Sequence, residues 1–170
     1  MNKLVLIFTT VVAFTIGQFA TAQKTIVDVA VGNEDFSTLV TALKSAELVS
    51  ALQADGPFTV FAPTNSAFAK IDSNTLNSLL EPKNRAALSN ILTYHVVAGN
   101  LMASDVVAAL KKGNGKVTLK ALNGQMLTVM QKDGKIWLKD QNNNYSEIIA
   151  TDVKGSNGVI HVIDSVVMPK

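Results

Sequence analysis

The residues best placed to do chemistry are two histidines, His95 in "TYHVVAG" and His161 in "GVIHVID", each set in an apolar run. An imidazole there can serve as a general base, a metal ligand or a buried structural group. A Ser-His-Asp relay would need Ser165, His161 and Asp164 to converge. Along an extended strand, residues 161 and 164 point to opposite faces, and no Gly-x-Ser-x-Gly elbow is present. A zinc site takes three or four ligands, and neither histidine stands in a cluster such as H-E-x-x-H. No catalytic residue, metal or cofactor is therefore expected. The Asp and Glu residues are scattered over loops and helix ends and read as solvated surface rather than as a facing pair for glycoside hydrolysis. Gly113-Asn114-Gly115 precedes a strand, not a helix N-terminus, and makes a poor phosphate cradle. The expectation left for both histidines is architectural. Val159, His161 and Ile163 share one strand face, so His161 has apolar neighbours. A buried imidazole lacking a partner costs about 1–3 kcal/mol, so each ring is expected to be neutral and bonded to a backbone carbonyl or a hydroxyl.

The elements that position these residues divide into two halves. Residues 25–112 look mainly helical. "TIVDVAV" puts Ile26, Val27, Ala30 and Val31 on one helical face, and a second apolar periodicity runs from Phe36 to Leu52 until Gly56-Pro57 stops it. "FTVFA" (58–62) is a strand ended by Pro63, which lacks a donor. Thr64 and Asn65 can start a short helix around Ser66–Lys70. Ser73 is expected to cap a helix through Leu80, Pro82 opens the next, and "YHVVAG" reads as a strand carrying Tyr94 and His95 on opposite faces. Ser104 is expected to cap "DVVAALKK". Residues 116–168 look like sheet: alternating runs joined at Asn123-Gly124 and Asp133-Gly134, then "EIIATDV" and "GVIHVIDSVVM". Helices first and strands later indicate an α+β fold.

Residues 1–22, "MNKLVLIFTTVVAFTIGQFATA", have a basic start, an apolar stretch and a small-x-small end, the pattern of a secretory signal peptide. A single domain over 23–170 is expected to follow, secreted to an extracellular or periplasmic space, with no stable membrane anchor after cleavage. Fifteen basic and thirteen acidic residues give a net charge of +2, or +1 without Lys3. That balance offers no electrostatic reason to expect nucleic acid. The chain has no cysteine, so packing alone must hold it together and thiol chemistry is excluded. Asn144-Tyr145-Ser146 is a glycosylation sequon. Trp137 and Tyr145 are candidates for a small aromatic sugar contact, although Trp137 also reads as a sheet residue packed on one side.

Three stretches, "LVSALQADGPFTVFAPTNSAFAKI" (48–71), "LSNILTYHVVAG" (88–99) and "SNGVIHVIDSVVMP" (156–169), together resemble the fasciclin domain family in order and spacing. The resemblance implies a β-wedge of about seven strands with a layer of helices, in a secreted, non-enzymatic adhesion or extracellular matrix and protein-binding module. It implies binding residues at Tyr94 and His95 and at Glu147-Ile148, where the family's Asp-Ile pair carries Glu and the carboxylate is displaced by one methylene. Pro63, Thr64, Asn65 and His161 fall on its structural motifs. The expected partner is an extracellular protein or polysaccharide, met by a monomer or weak oligomer. An alternative is a soluble binder of a small molecule or polysaccharide in a groove between helices and wedge, in a pocket lined by Met102, Met126, Met130 or Trp137. A hydrolase would instead show two facing carboxylates or an exposed Ser165–His161 pair.

Overall fold

The strand that comes last in sequence lies inside the sheet, between the first strand and the sixth. In this computed structural model residues 24–170 are described; the expected signal peptide over 1–22 lies outside them. Among the described residues there are seven strands: β1 (Phe58–Pro63), β2 (Val96–Ala98), β3 (Lys116–Lys120), β4 (Met126–Lys132), β5 (Lys135–Lys139), β6 (Tyr145–Gly155) and β7 (Gly158–Ile163). Their order is β2-β1-β7-β6-β5-β4-β3. β1 and β7 run parallel, Phe58 beside Gly158 through Pro63 beside Ile163, and the other neighbours are antiparallel. The two ends nearly meet, through a bridge between Val97 and Ala121 and a 2.8 Å bond from Leu122 N–H to the Val96 carbonyl. The result is the expected α+β architecture, a nearly closed seven-stranded sheet with helices packed on it.

Burial explains why β1 and β7 do not alternate. From Thr59 to Pro63 and from Val159 to Ile163 every residue is buried, because two cores flank this pair. Val60, Ala62, Ile160 and Val162 face helices α1 (Ile26–Val31), α2 (Ser37–Ser45), α3 (Val49–Gln53) and α6 (Arg85–Tyr94). Phe61 and Ile163 face inward, where Leu127, Val129 and Leu138 meet Val106 and Leu110 of α7 (Ala103–Lys112). Each such aliphatic or aromatic side chain contributes about 1.5–3 kcal/mol on burial. β3 and β4 keep the alternating pattern of a sheet wet on one side.

Several local expectations need correction. The single helix expected over 36–52 is broken where Glu47 takes a φ of 57°, which separates α2 from α3. Helix α5 (Ser73–Leu80) is capped by Asp72, whose carboxylate accepts the Thr75 N–H at 3.1 Å, rather than by Ser73. Helix α7 starts two residues earlier than expected; Asp105 accepts the Met102 N–H at 3.0 Å and Ser104 lies within the helix. Tyr94 is the last residue of α6 and His95 its C-cap, so the strand begins at Val96. The carbonyls at the end of a helix need partners, and here they are met before the β-forming valines begin.

Candidate functional site

His95 answers that need with its own ring. Its Nδ1–H donates to the Ile91 carbonyl at 2.8 Å, and Nε2 accepts the Val167 N–H at 3.1 Å. Both nitrogens are engaged by backbone, which fixes the neutral tautomer. The residue is 2% exposed, and burial pulls its pKa down to about 4 against the lesser opposing effect of the Ile91 bond. His161 does the same work on the other side. Nε2 donates to the Leu101 carbonyl at 2.7 Å and Nδ1 accepts the Asp152 N–H at 3.4 Å. The Phe61 ring stacks on it, centroids 5.7 Å apart. Asp152 sits in an irregular part of β6 with a φ of 60°, and its carboxylate accepts the Ala103 N–H at the start of α7 at 2.8 Å. His161 thus joins β7, the β6 irregularity and the entry to α7.

Ser165, His161 and Asp164 do not converge. Asp164 accepts from the Glu147 N–H at 2.8 Å, from Ser146 Oγ at 3.2 Å and from Lys70 Nζ at 3.2 Å. Partial burial pushes its pKa up, but the Glu147 and Lys70 donors outweigh that effect and hold it below the ordinary value. Ser165 Oγ accepts from Lys70 Nζ at 2.8 Å and makes no bond to an imidazole. Among the described residues no group of three or more His, Asp or Glu side chains is gathered to hold a metal ion.

The four residues indicated as binding positions lie in different settings. Tyr94 is 0% exposed; its hydroxyl donates to the Met126 carbonyl at 2.9 Å, and burial pushes its pKa up to about 12. In this conformation neither it nor His95 offers atoms to a partner. Ile148 turns inward onto the second core. Glu147 faces out beside Trp137 and pairs with Lys135 at 2.8 Å.

The Pro63-Thr64-Asn65 motif reaches further than a local cap. Thr64 Oγ1 accepts the Ala67 N–H of α4 (Asn65–Phe68) at 3.2 Å. Asn65 instead serves another helix: Oδ1 accepts the Thr38 N–H at 2.9 Å and Nδ2 donates to the Glu34 carbonyl at 2.8 Å. Asn157, in the β6–β7 turn, is a residue that sequence reasoning missed. Its Oδ1 accepts the Ile26 N–H at 2.9 Å, while Nδ2 donates to the carbonyls of Leu52 at 2.8 Å and Ala54 at 2.9 Å. One amide therefore ties the start of α1 and the end of α3 to the sheet. The only sequence signal for it was a turn-forming Asn.

The space between helices and sheet, where a ligand groove was the alternative, is nearly filled: the cavity there is about 20 Å³, lined by residues such as Leu39, Leu52 and Ile160. Roomier grooves are open on the surface: one of about 530 Å³ walled by residues such as Val31, Ser37 and Lys44, and one of about 450 Å³ on the sheet face, walled by Met130, Trp137, Tyr145, Lys132 and Asp133. Met102 and Met126 are not among its walls. Asn144 of the sequon is exposed, but Ser146 is fully buried.

The fasciclin domain family model matches residues 34–169. The chain is similar to protein sll1483 of a Synechocystis strain, 50% identical over 95% of this chain and 83% of that protein. It is also 36% identical to the transforming growth factor-beta-induced protein ig-h3 of Sus scrofa, over 92% of this chain but only 21% of that protein. Among solved structures it resembles a FAS1 domain pair from the insect cell adhesion molecule Fasciclin I, with a TM-score of 0.73, 20% identity, and coverage of 84% of this chain and 50% of that one.

Proposed function

The chain belongs to the fasciclin domain family, and on that footing we propose that it is a secreted, non-enzymatic module that binds extracellular protein or matrix polymer. The observation that carries this reading is the commitment of its chemically able side chains. Both nitrogens of each histidine are bonded to backbone groups, and Asp164 and Ser165 are held by Lys70. A general base needs a free lone pair within reach of a substrate proton, and none of these groups offers one. The fold shared with a cell adhesion molecule supports the adhesive side of the reading.

The test is to label the folded protein and titrate it onto intact cells of its source, with heat-unfolded protein as control. Saturable binding by the folded form alone, with no turnover of chromogenic ester, phosphate and glycoside substrates, is the expected result. Turnover of any of these substrates, or equal binding by both forms, would overturn the proposal.

A further inference from the structure

Between Lys111 and Lys139 the sequence holds seven lysines and one acid, Asp133. The near-neutral total conceals this. The register of β3, β4 and β5 decides where those lysines go. Lys116 pairs with Met130 and Met130 with Trp137; Lys120 pairs with Met126; Thr128 pairs with Lys139; Lys132 pairs with Lys135. All of these residues share the outward face, because Val129 and Leu138 between them are fully buried. Lys116 and Lys120 therefore line β3, Lys139 and Lys135 line β5, and Thr128 and Met130 of β4 form a floor between them. Lys135 is already paired with Glu147 of the same face at 2.8 Å, so among the described residues Lys139 is the unneutralised cation of its row. From strand spacing the two rows stand about 10 Å apart, and the lysines within a row about 13 Å apart. Lys139 lies over the Tyr145 ring, 5.7 Å from its centroid, and Trp137 and Tyr145 wall the groove.

We propose that this outer face of β3–β5 binds an acidic, carboxylated polysaccharide lying along β4 between the two rows of lysines, a proposal that rests on the binding-module reading above and gives it a surface and a ligand class. Lysine ammonium groups on both sides match carboxylates carried at intervals along a sugar chain, and an aromatic ring in the groove offers a face for stacking a pyranose. Nucleic acid fits less well. Duplex DNA carries one charge per about 1.7 Å, far denser than these rows, and the acids elsewhere on the chain leave a net charge of only +2 to attract it. A membrane surface fits less well too, since Trp137 is half-buried and does not project as an anchor.

Trp137 is the chain's only tryptophan, so its emission reports on the groove. Short polygalacturonate oligomers, titrated at low ionic strength, are expected to change that emission saturably, with an affinity that falls steeply with added salt. Neutral dextran is expected to do nothing. The double variant Lys116→Gln/Lys139→Gln alters exposed or half-exposed side chains, so its circular dichroism should match the native protein, while its affinity drops roughly tenfold or more. Three results would overturn the proposal: no polygalacturonate binding by emission or calorimetry, equal affinity in the double variant, or tighter binding of single-stranded DNA. Undiminished attachment of the double variant to source cells would overturn this surface while leaving the binding-module reading intact. Polygalacturonate binding by a native protein that fails to attach to cells would do the reverse.

Discussion

His95 and Val167, separated by 72 residues, are joined by a buried hydrogen bond from the Val167 N–H to Nε2 at 3.1 Å. That bond fastens the segment after β7 to the end of α6, and it exists only while the ring is neutral. The folded pKa of about 4 lies below the ordinary 6.5. Between these values the unfolded chain binds a proton that the folded chain does not, so stability rises with pH across the window. The contribution is full above about pH 6.5 and is lost as pH falls toward 4, on the order of 3 kcal/mol in all. Urea unfolding at a series of pH values measures it. His95→Gln, which cannot titrate, should flatten the curve across that window; an unchanged slope would refute the assignment.

His161→Ala is expected to destabilise the protein by about 2–4 kcal/mol, since it leaves the Leu101 carbonyl and the Asp152 N–H without partners and empties the space against Phe61. Urea unfolding with and without zinc should show that loss and no effect of the ion. Stabilisation of native protein by zinc, absent from the variant, would mean that the histidine is a ligand.

Asn157→Ala removes three bonds to two helices and should cost about 2–3 kcal/mol. The diagnostic is local. Amide exchange in α1 and α3 should accelerate more than in β4 and β5, whereas uniform acceleration would show that the turn holds the whole fold rather than the helices.

Gly158→Ala should be among the most disruptive single methyl additions. An added Cβ would stand 2.1 Å from the Phe58 carbonyl oxygen, in the first rung of the parallel β1–β7 pair. Backbone would have to move, at a cost of about 3 kcal/mol or more. A thermal melt within a few degrees of wild type would show that the rung relaxes freely.

What was legible in the sequence was local. Asp133-Gly134 adopts positive φ at both residues, 54° and 76°, as a two-residue hairpin requires, and β4 and β5 follow in register. Tyr94-His95 reads as strand in sequence because Tyr and Val favour strands, whereas the His95 N–H still bonds the Leu92 carbonyl at 3.1 Å and the His95 ring closes the helix end on the Ile91 carbonyl. Asn65 reads in sequence as a local helix start, and Asn157 carries no signal beyond a turn-forming residue, because their partners, Thr38, Ile26 and Leu52, lie far away in the chain. The lysine rows escaped for a related reason. Alternation in "KVTLK" shows which lysines share a face of one strand, but only the pairing of Lys116 with Met130 and of Met130 with Trp137 makes a surface of them.

The parallel pairing of β1 with β7 also governs when this protein can fold. Phe58 waits for Gly158, so as the chain emerges from the ribosome β1 has only three-residue β2 beside it until the C-terminus arrives. Contacts so distant in sequence form slowly. The helices can gather early, but with Val60 and Ala62 on one side of β1 and Phe61 on the other, an incomplete chain exposes an apolar edge on which other chains can pair. Deleting residues from 158 onward should therefore leave no smaller folded unit, only a chain held permanently at that sticky stage.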